Sequence, residues 1–516
     1  MRALGLLLLV PSVGAAQVGA DFVAYARRID AVPLESTPVF DHQRVKPADT
    51  LARETLLFLY GSTAPAGLDP LQCYLGYIVY PANGGVQLIE VRDRDVRERL
   101  GFPGDKRYFS VRELDQGGIV GLAQPLLSDE HRGNESLSRL ERSTLEAYRQ
   151  YSLARAAASG EHLLQSLDPE NGERRAGRQF LLALRGPEQS WAEAISRLPR
   201  GAESLRGEVL YNQTHPSRWA AGACVCLGLL ALAGLLRRVP LPALAGAALA
   251  PMLVLLAGLL VRGAILRAVP ATTTYSVLQW TAVALCAGGV VALLRHRSRS
   301  LWGLCSVGAG ALLALPEAFP RTLDSALNPA PALLQSNLCL TVHVSAAASA
   351  YGALTLAMLG ANYALIASLI APRDRAFFAV WAHRAWRASQ LGACLLTAAI
   401  FFGGIWATLA WGRTWAWEPK ESWALLADAS FIALICARHT GRLGDLGLLL
   451  AAPAAFLIAA MASFGVNALL HAGLHTFGFF SGGLPAMTAF AGLQVLLLVA
   501  AAALQRRSVT NPIVGP

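Results

Sequence analysis

The sequence predicts an all-α polytopic membrane protein with about nine transmembrane helices, preceded by a signal sequence and an exported mixed α/β domain. Composition is the first reason. The chain has 516 residues, of which 54% are hydrophobic and 15% charged, and its mean hydropathy is +0.42, a balance that belongs to chains with many bilayer-length apolar runs. The second reason is a division of charge: Gln17 to Arg218 holds 25 Lys/Arg and 27 Asp/Glu, whereas the residues beyond Arg218 hold 18 basic and 7 acidic side chains. Almost all of the net charge of +10 therefore sits in the apolar half. A basic pI is thus no sign of a nucleic-acid partner, and the placement of the charges among the loops becomes the informative quantity. The third reason is the placement of the long apolar runs, which all lie beyond residue 218.

The N-terminus, "MRALGLLLLVPSVGAAQ", has one arginine, an apolar core and small residues at Ala15 and Ala16. It reads as a secretory signal cleaved after about Ala16, or as an uncleaved anchor; either exports the domain that begins near Gln17. From 17 to 215 no long apolar run occurs. Leu137 to Arg155 and Glu188 to Leu205 mix apolar and charged positions as amphipathic helices do, and "YLGYIVYPANGGVQLIEVR" predicts short strands around a Pro/Asn/Gly turn. Cys73 is the only cysteine of this domain, so a CxxC exchange site is absent and the domain is not expected to reduce a client's thiols itself.

Nine spans are expected at about 219–236, 241–261, 275–294, 300–316, 335–370, 389–408, 422–437, 445–466 and 484–504, the fifth long enough to project beyond a bilayer. The first two stand apart as an additional pair over 219–270. With an exported N-terminal domain, alternation puts thirteen basic residues on the cytoplasmic side, the tail 506–516 included, and five on the other: Arg262, Arg267, Arg321, Arg413 and Lys420. That bias fits the positive-inside rule and supports the span count.

The same alternation places "WGRTWAWEPKESWAL", Trp411 to Leu425, outside. Trp411, Trp415, Trp417 and Trp423 in one short loop can form an aromatic belt at the headgroup level. A belt accounts for the rings but not for "EPKE", in which two carboxylates, a lysine and a proline specify a loop conformation against which a planar apolar ligand can stack. Three of the ten histidines fall at external ends of spans: His343 in "LQSNLCLTVHVSAAASAYG", and His471 and His475 in "HAGLHTFGF". Each alone reads as an interfacial or packing residue. Two of them flanking a tryptophan-rich loop read as axial nitrogen ligands to a haem iron. His471 and His475 would be one helical turn apart if the segment is helical, which also suits a dinuclear or zinc site, but no nearby carboxylate or cysteine completes ordinary zinc geometry and no HExxH occurs.

Residues 275–505 resemble the CcsA/ResC branch of the cytochrome c assembly proteins, the haem-handling family with a tryptophan-rich "WWD" signature. The resemblance is carried by "GGIWATLAWGRTWAWEPKESWALL", with "LQSNLCLTVHV" before it and "GVNALLHAGLHTFGF" after it. Thr37 to Glu54, "TPVFDHQRVKPADTLARE", resembles an exported segment attached to some members. The resemblance implies a multi-pass protein of the bacterial plasma (inner) membrane. It would bind haem b noncovalently, as a substrate, and present it at the outer face for thioether attachment to CxxCH of apocytochrome c. His343 and His475 would be the axial ligands, and Trp411, Trp415, Trp417 and Trp423 the ring platform. Glu418 stands where the family has aspartate, and Arg413 or Lys420 would pair with propionates or with Glu418 and Glu421. A CcsB/ResB-like membrane subunit and thiol-reducing maturation proteins would be partners, and the chain would be a component of a holocytochrome c synthase system.

The chain departs from the family in the seventh span. The usual intramembrane histidine, thirteen residues after the tryptophan matched by Trp423, is Cys436 here, and His439 stands three residues later. His439 by a register change, or Cys436 as a thiolate, would then serve the inner site, the other reading of Cys436 being a buried packing residue. Asp428 in the same span reads as a polar bundle contact or a proton-transfer group. Three function classes are compatible with these residues: a haem exporter and assembly factor, a haem-binding scaffold or sensor without attachment activity, and a secondary transporter of another solute, which would bind at mid-membrane.

Overall fold

A computed structural model describes residues 18–130, 137–166, 182, 203–271, 273–327, 338–371, 373–470 and 483–510. The expected signal segment, most of the expected helix 188–205, and both His471 and His475 lie outside the described residues. The chain divides into two compact units, Met1–Thr214 and His215–Pro516.

The first unit is mixed, with short strands among helices α1 (Ala20–Ala26), α2 (Ala48–Tyr60), α3 (Pro70–Val79), α4 (Arg94–Arg99), α5 (Val111–Gln116), α6 (Ile119–Glu130), α7 (Arg139–Ser159), α8 (Glu161–Ser166) and α9 (Glu203–Thr214). Strands β1 (Pro38–Asp41) and β2 (Arg44–Pro47) form an antiparallel hairpin, and β3 (Ile89–Glu90) pairs with β4 (Tyr108–Phe109). The expected amphipathic helix from Leu137 is α7, started by a Ser138/Glu141 capping box and stopped by left-handed Gly160.

The strand reading of "YLGYIVY" is corrected: Tyr74 to Val79 is helical, within α3. Tyr, Ile and Val favour strands, but Asp69 accepts the Leu71 and Gln72 amides and Pro70 occupies the first helical position, so a helix start outweighs propensity. Tyr74, Tyr77 and Ile78 are then buried on a helical repeat.

The hairpin turns through His42 (φ 48°) and Gln43 (φ 61°), two non-glycine residues in the left-handed region. Each costs ~1 kcal/mol, and charged contacts offset this. Lys46, fully buried, pairs with Asp41 at 2.6 Å and with Glu54. Arg44 makes two bonds to the buried Glu208 carboxylate, at 2.7 and 2.8 Å, and Thr50 Oγ1 donates to the same carboxylate at 2.7 Å. The segment Thr37 to Glu54 is thereby latched to α9.

The second unit is a helical bundle: α10 (Pro216–Leu232), α11 (Leu241–Leu266), α12 (Thr274–His296), α13 (Arg299–Ala318), α14 (Leu338–Ile370), α15 (Arg375–Trp411), α16 (Pro419–His439), α17 (Asp445–Ala460) and α18 (Gly483–Thr510), with a π-helical continuation of α17 over Met461–Leu470. Seven stretches are long and apolar enough to cross a membrane, so this is a mostly α-helical polytopic membrane protein. The expected first and seventh spans do form helices, α10 and α16, but these two fall outside those seven. Polar caps start several of the others: Thr273 on Ser276, Ser298 on Leu301 and Asp374 on Phe377.

Small residues let the helices approach. α14 and α15 form the most extensively packed pair, and a Cβ on Gly392 would lie 2.3 Å from Leu354 Cδ2. Without hydrophobic drive between helices in lipid, such backbone proximity is what association relies on.

Candidate functional site

The tryptophan loop is the turn between α15 and α16. α15 ends at Trp411 because Gly412 adopts φ 71°, with its amide bonded to the Thr408 carbonyl. α16 begins at Pro419, whose fixed φ suits a first helical position. Between them Glu421 reaches back: its Oε2 accepts the Ala416 amide at 2.9 Å and the Glu418 amide at 3.3 Å. The "EPKE" motif is thus the helix start that shapes the loop.

Inside this frame Trp415 and Trp417 meet edge to face, centroids 5.7 Å apart at 83°. Trp417 is 73% exposed, and its backbone is left-handed at φ 57°, a strained conformation for a bulky residue. The Trp415 indole N–H is buried without a hydrogen-bond partner among the described residues. Arg413 lies 3.5 Å from the buried Glu418 carboxylate, one of the two pairings expected of it. Lys420 is half-buried and makes no ion pair with a described residue. Trp423 stands at the start of the second turn of α16, half-buried.

His343 reaches this region from α14. Leu340 and Val344, on either side of it in sequence, pack with Trp406, Ala407 and Trp411 in one small apolar cluster. Trp406 and Trp411 meet edge to face at 4.7 Å. Trp406 carries the base of the loop, a role that sequence reasoning misses, although its spacing five residues before Trp411 is the available signal. The His343 ring itself lies against α15, with Nδ1 2.7 Å from the Ala399 carbonyl oxygen. The helix α14 that carries His343 therefore also packs, through Leu340 and Val344, on the loop base.

The remaining candidates lie elsewhere. Cys436 and His439 are exposed in the last turn of α16, and thirteen residues at 1.5 Å each put Cys436 ~20 Å along the axis from Trp423. The reading of Cys436 as a buried packing residue is corrected, since it faces outward. Asp428 is buried and accepts the Thr397 hydroxyl at 2.7 Å, a contact between α16 and α15.

An exposed indole face, a half-exposed arginine, an unsatisfied indole donor and an imidazole one helix away suit a flat apolar ligand with acidic substituents and a metal centre. Among the described residues the one group of convergent metal-ligating side chains is Asp41 and His42 of the hairpin with Glu54 of α2, where the Lys46 ammonium already lies between the carboxylates.

Fold and site together define a multi-pass helical membrane protein with a tryptophan-rich turn at the end of α15 and a histidine packed against that same helix. Residues 244–475 match the family described as Cytochrome C assembly protein. The chain is similar to the cytochrome c biogenesis protein CcsA of Nostoc punctiforme, 45% identical over 96 residues, 18% of this chain and 27% of that protein. It is likewise similar to that of Microcystis aeruginosa, 44% identical over 96 residues, 18% and 29% of the two chains. For that of Piper cenocladum the identity is 39% over 99 residues, 19% and 30%. The membrane half of the chain is thus similar to the CcsA/ResC-type cytochrome c assembly proteins. It spans less than a third of the length of the curated relatives it matches.

Proposed function

We propose that this protein acts in cytochrome c biogenesis by binding haem b as a substrate at the outer face of a bacterial plasma membrane and presenting it to apocytochrome c. The observation that carries the reading is the cluster joining Leu340 and Val344, which flank His343, to Trp406 and Trp411 at the base of the tryptophan loop. His343 supplies one axial nitrogen and His475 the other. Trp411, Trp415, Trp417 and Trp423 provide apolar faces, while Glu418 and Glu421 hold the loop rigid. Arg413 balances a propionate at the cost of its contact with Glu418, and Lys420 offers a second cation. Haem contributes the vinyl groups across which a cysteine S–H of CxxCH adds; the chain contributes orientation and exclusion of water.

Support for the outer placement comes from the distribution of arginines about nine helices, with α10 and α16 taken as spans. Cys436 and His439, at the other end of α16, are the groups available for an inner site on the route of haem to the loop. A CcsB/ResB-like subunit and thiol-reducing proteins would supply what this chain lacks.

The test is purification with haem followed by separate replacement of His343, His475 and His439. Substitution of His343 and of His475 is expected to alter axial ligation and to abolish attachment of haem to a CxxCH substrate together. Unchanged spectra in both variants would sink the assignment. Haem binding without attachment in the reconstituted system would instead identify a scaffold or sensor, and absence of haem would favour transport of another solute.

A further inference from the structure

His343 is held from one side by α15, and the two contacts involved are one helical turn apart. The first is the 2.7 Å approach of Nδ1 to the Ala399 carbonyl oxygen. A carbonyl only accepts, so a neutral imidazole in this position carries its hydrogen on Nδ1 and its lone pair on Nε2. A helical carbonyl has a second lone pair for such a bond after its own i+4 amide is served. The second contact is with Gly403. A Cβ there would lie 2.8 Å from both Cε1 and Nδ1 of His343, a distance that non-bonded atoms do not tolerate. Ala399 and Gly403 are four apart on one face of α15, so a methyl on residue 403 would push the ring off the carbonyl.

Glycine in a helix interior costs ~1 kcal/mol relative to alanine, and Gly403 carries that cost inside a 37-residue helix. Gly403 and its neighbour Gly404 differ in what they accommodate: a Cβ on Gly404 would meet the Thr414 methyl at 3.1 Å, in the loop. The first glycine makes room for the histidine and the second for the turn.

We infer that Gly403 is a positioning residue for haem ligation: by lacking a Cβ it lets the Ala399 carbonyl take the Nδ1 hydrogen of His343, which fixes Nε2 as the ligating atom. This rests on the reading of His343 as an axial ligand. An acceptor on the far nitrogen orients a metal-bound imidazole and makes it a stronger donor, and loss of such a partner typically lowers metal affinity 10- to 100-fold.

The experiment uses the full-length protein purified with haem, comparing the parent, Gly403→Ala, His343→Gly supplied with imidazole, and the double variant with imidazole. Gly403→Ala is expected to weaken haem retention about tenfold, to shift the ligand-field spectrum and to raise the midpoint potential, since a weaker donor favours ferrous iron. In the His343→Gly background the same substitution is expected to change retention less than twofold, because untethered imidazole needs no room at residue 403 in a fixed orientation. Equal effects in both backgrounds, or a parental spectrum and potential in Gly403→Ala, would overturn the inference. If His343→Gly alone leaves ligation unchanged, the axial-ligand reading fails instead. Should Gly403→Ala not accumulate, ¹⁵N-histidine spectra of the haem-free parent decide: the signal lost in His343→Gln must be the Nδ1-protonated tautomer, and an Nε2-protonated signal there overturns the inference.

Discussion

The Glu421 carboxylate and the Ala416 amide are 2.9 Å apart, and this bond closes the tryptophan loop onto the first turn of α16. Glu421 Oε2 also accepts the Glu418 amide at 3.3 Å. Glu421→Ala removes the acceptor for two loop amides and is expected to cost ~1–2 kcal/mol locally. Trypsin cleavage after Arg413 should accelerate and haem retention should fall, while Glu421→Gln, which keeps a carbonyl acceptor, should behave close to the parent. Identical proteolysis rates in the Ala variant and the parent would refute this role.

Trp417 combines an exposed ring with a left-handed backbone. Trp417→Ala keeps the strained φ and Trp417→Gly relieves it, so the glycine variant should be the more stable of the two by ~1 kcal/mol in thermal unfolding. Both should lose haem affinity to the same extent, because both lack the ring. A glycine variant that binds haem as the parent does would remove Trp417 from the platform.

In the first unit, Glu208 is 2% exposed and accepts both Arg44 and Thr50. Glu208→Ala leaves the guanidinium without its partner and is expected to destabilise the unit by ~3–5 kcal/mol. Hydrogen exchange at residues 44–50 in the full-length protein checks it: protection there should collapse, whereas protection in α14 and α15 should not.

Two histidines of the same unit should respond to pH with opposite sign. The hydrogen bond from His42 to Asp41, 2.7 Å, raises the His42 pKa. Its contribution is therefore full below the unfolded value of about 6.5 and is lost as pH rises through the folded value. Burial lowers the pKa of His162, which meets the Tyr74 hydroxyl at 2.8 Å. Its contribution is full above about 6.5 and is lost as pH falls through the folded value. The penalty of His42→Asn should thus be larger at pH 5.5 than at 8.5, and that of His162→Gln larger at 8.5 than at 5.5, in the melting temperature of the full chain. The same ordering for both would contradict the assignment.

How much of the fold and site is written locally differs from element to element. The apolar runs, the Pro419 helix start and the loop between Trp411 and Trp423 depend on neighbours in sequence, and each is legible there. "YLGYIVY" misleads because its strand propensity is high while the Asp69-Pro70 helix start lies just before it. Trp406 escapes notice because its task, filling the space under Trp411 against Leu340, exists only once α14 lies beside α15. Cys436 admits a buried alternative because the sequence shows which span it is in but not which way that span is turned.

The sequence by itself determined the helical membrane half, the mixed unit before it, the residue types of the loop and the family that the membrane half resembles, because apolar periodicity, caps and a long mixed motif are local properties. Only the tertiary structure decided that His343 meets Ala399, 56 residues away in the chain, and Gly403 beyond it, that Lys46 lies buried between Asp41 and Glu54, and that Arg44 and Glu208 close a latch. Those contacts depend on which helix faces and strand faces meet, and the meeting is set by small side chains at crossings and by charges that must be paired once buried.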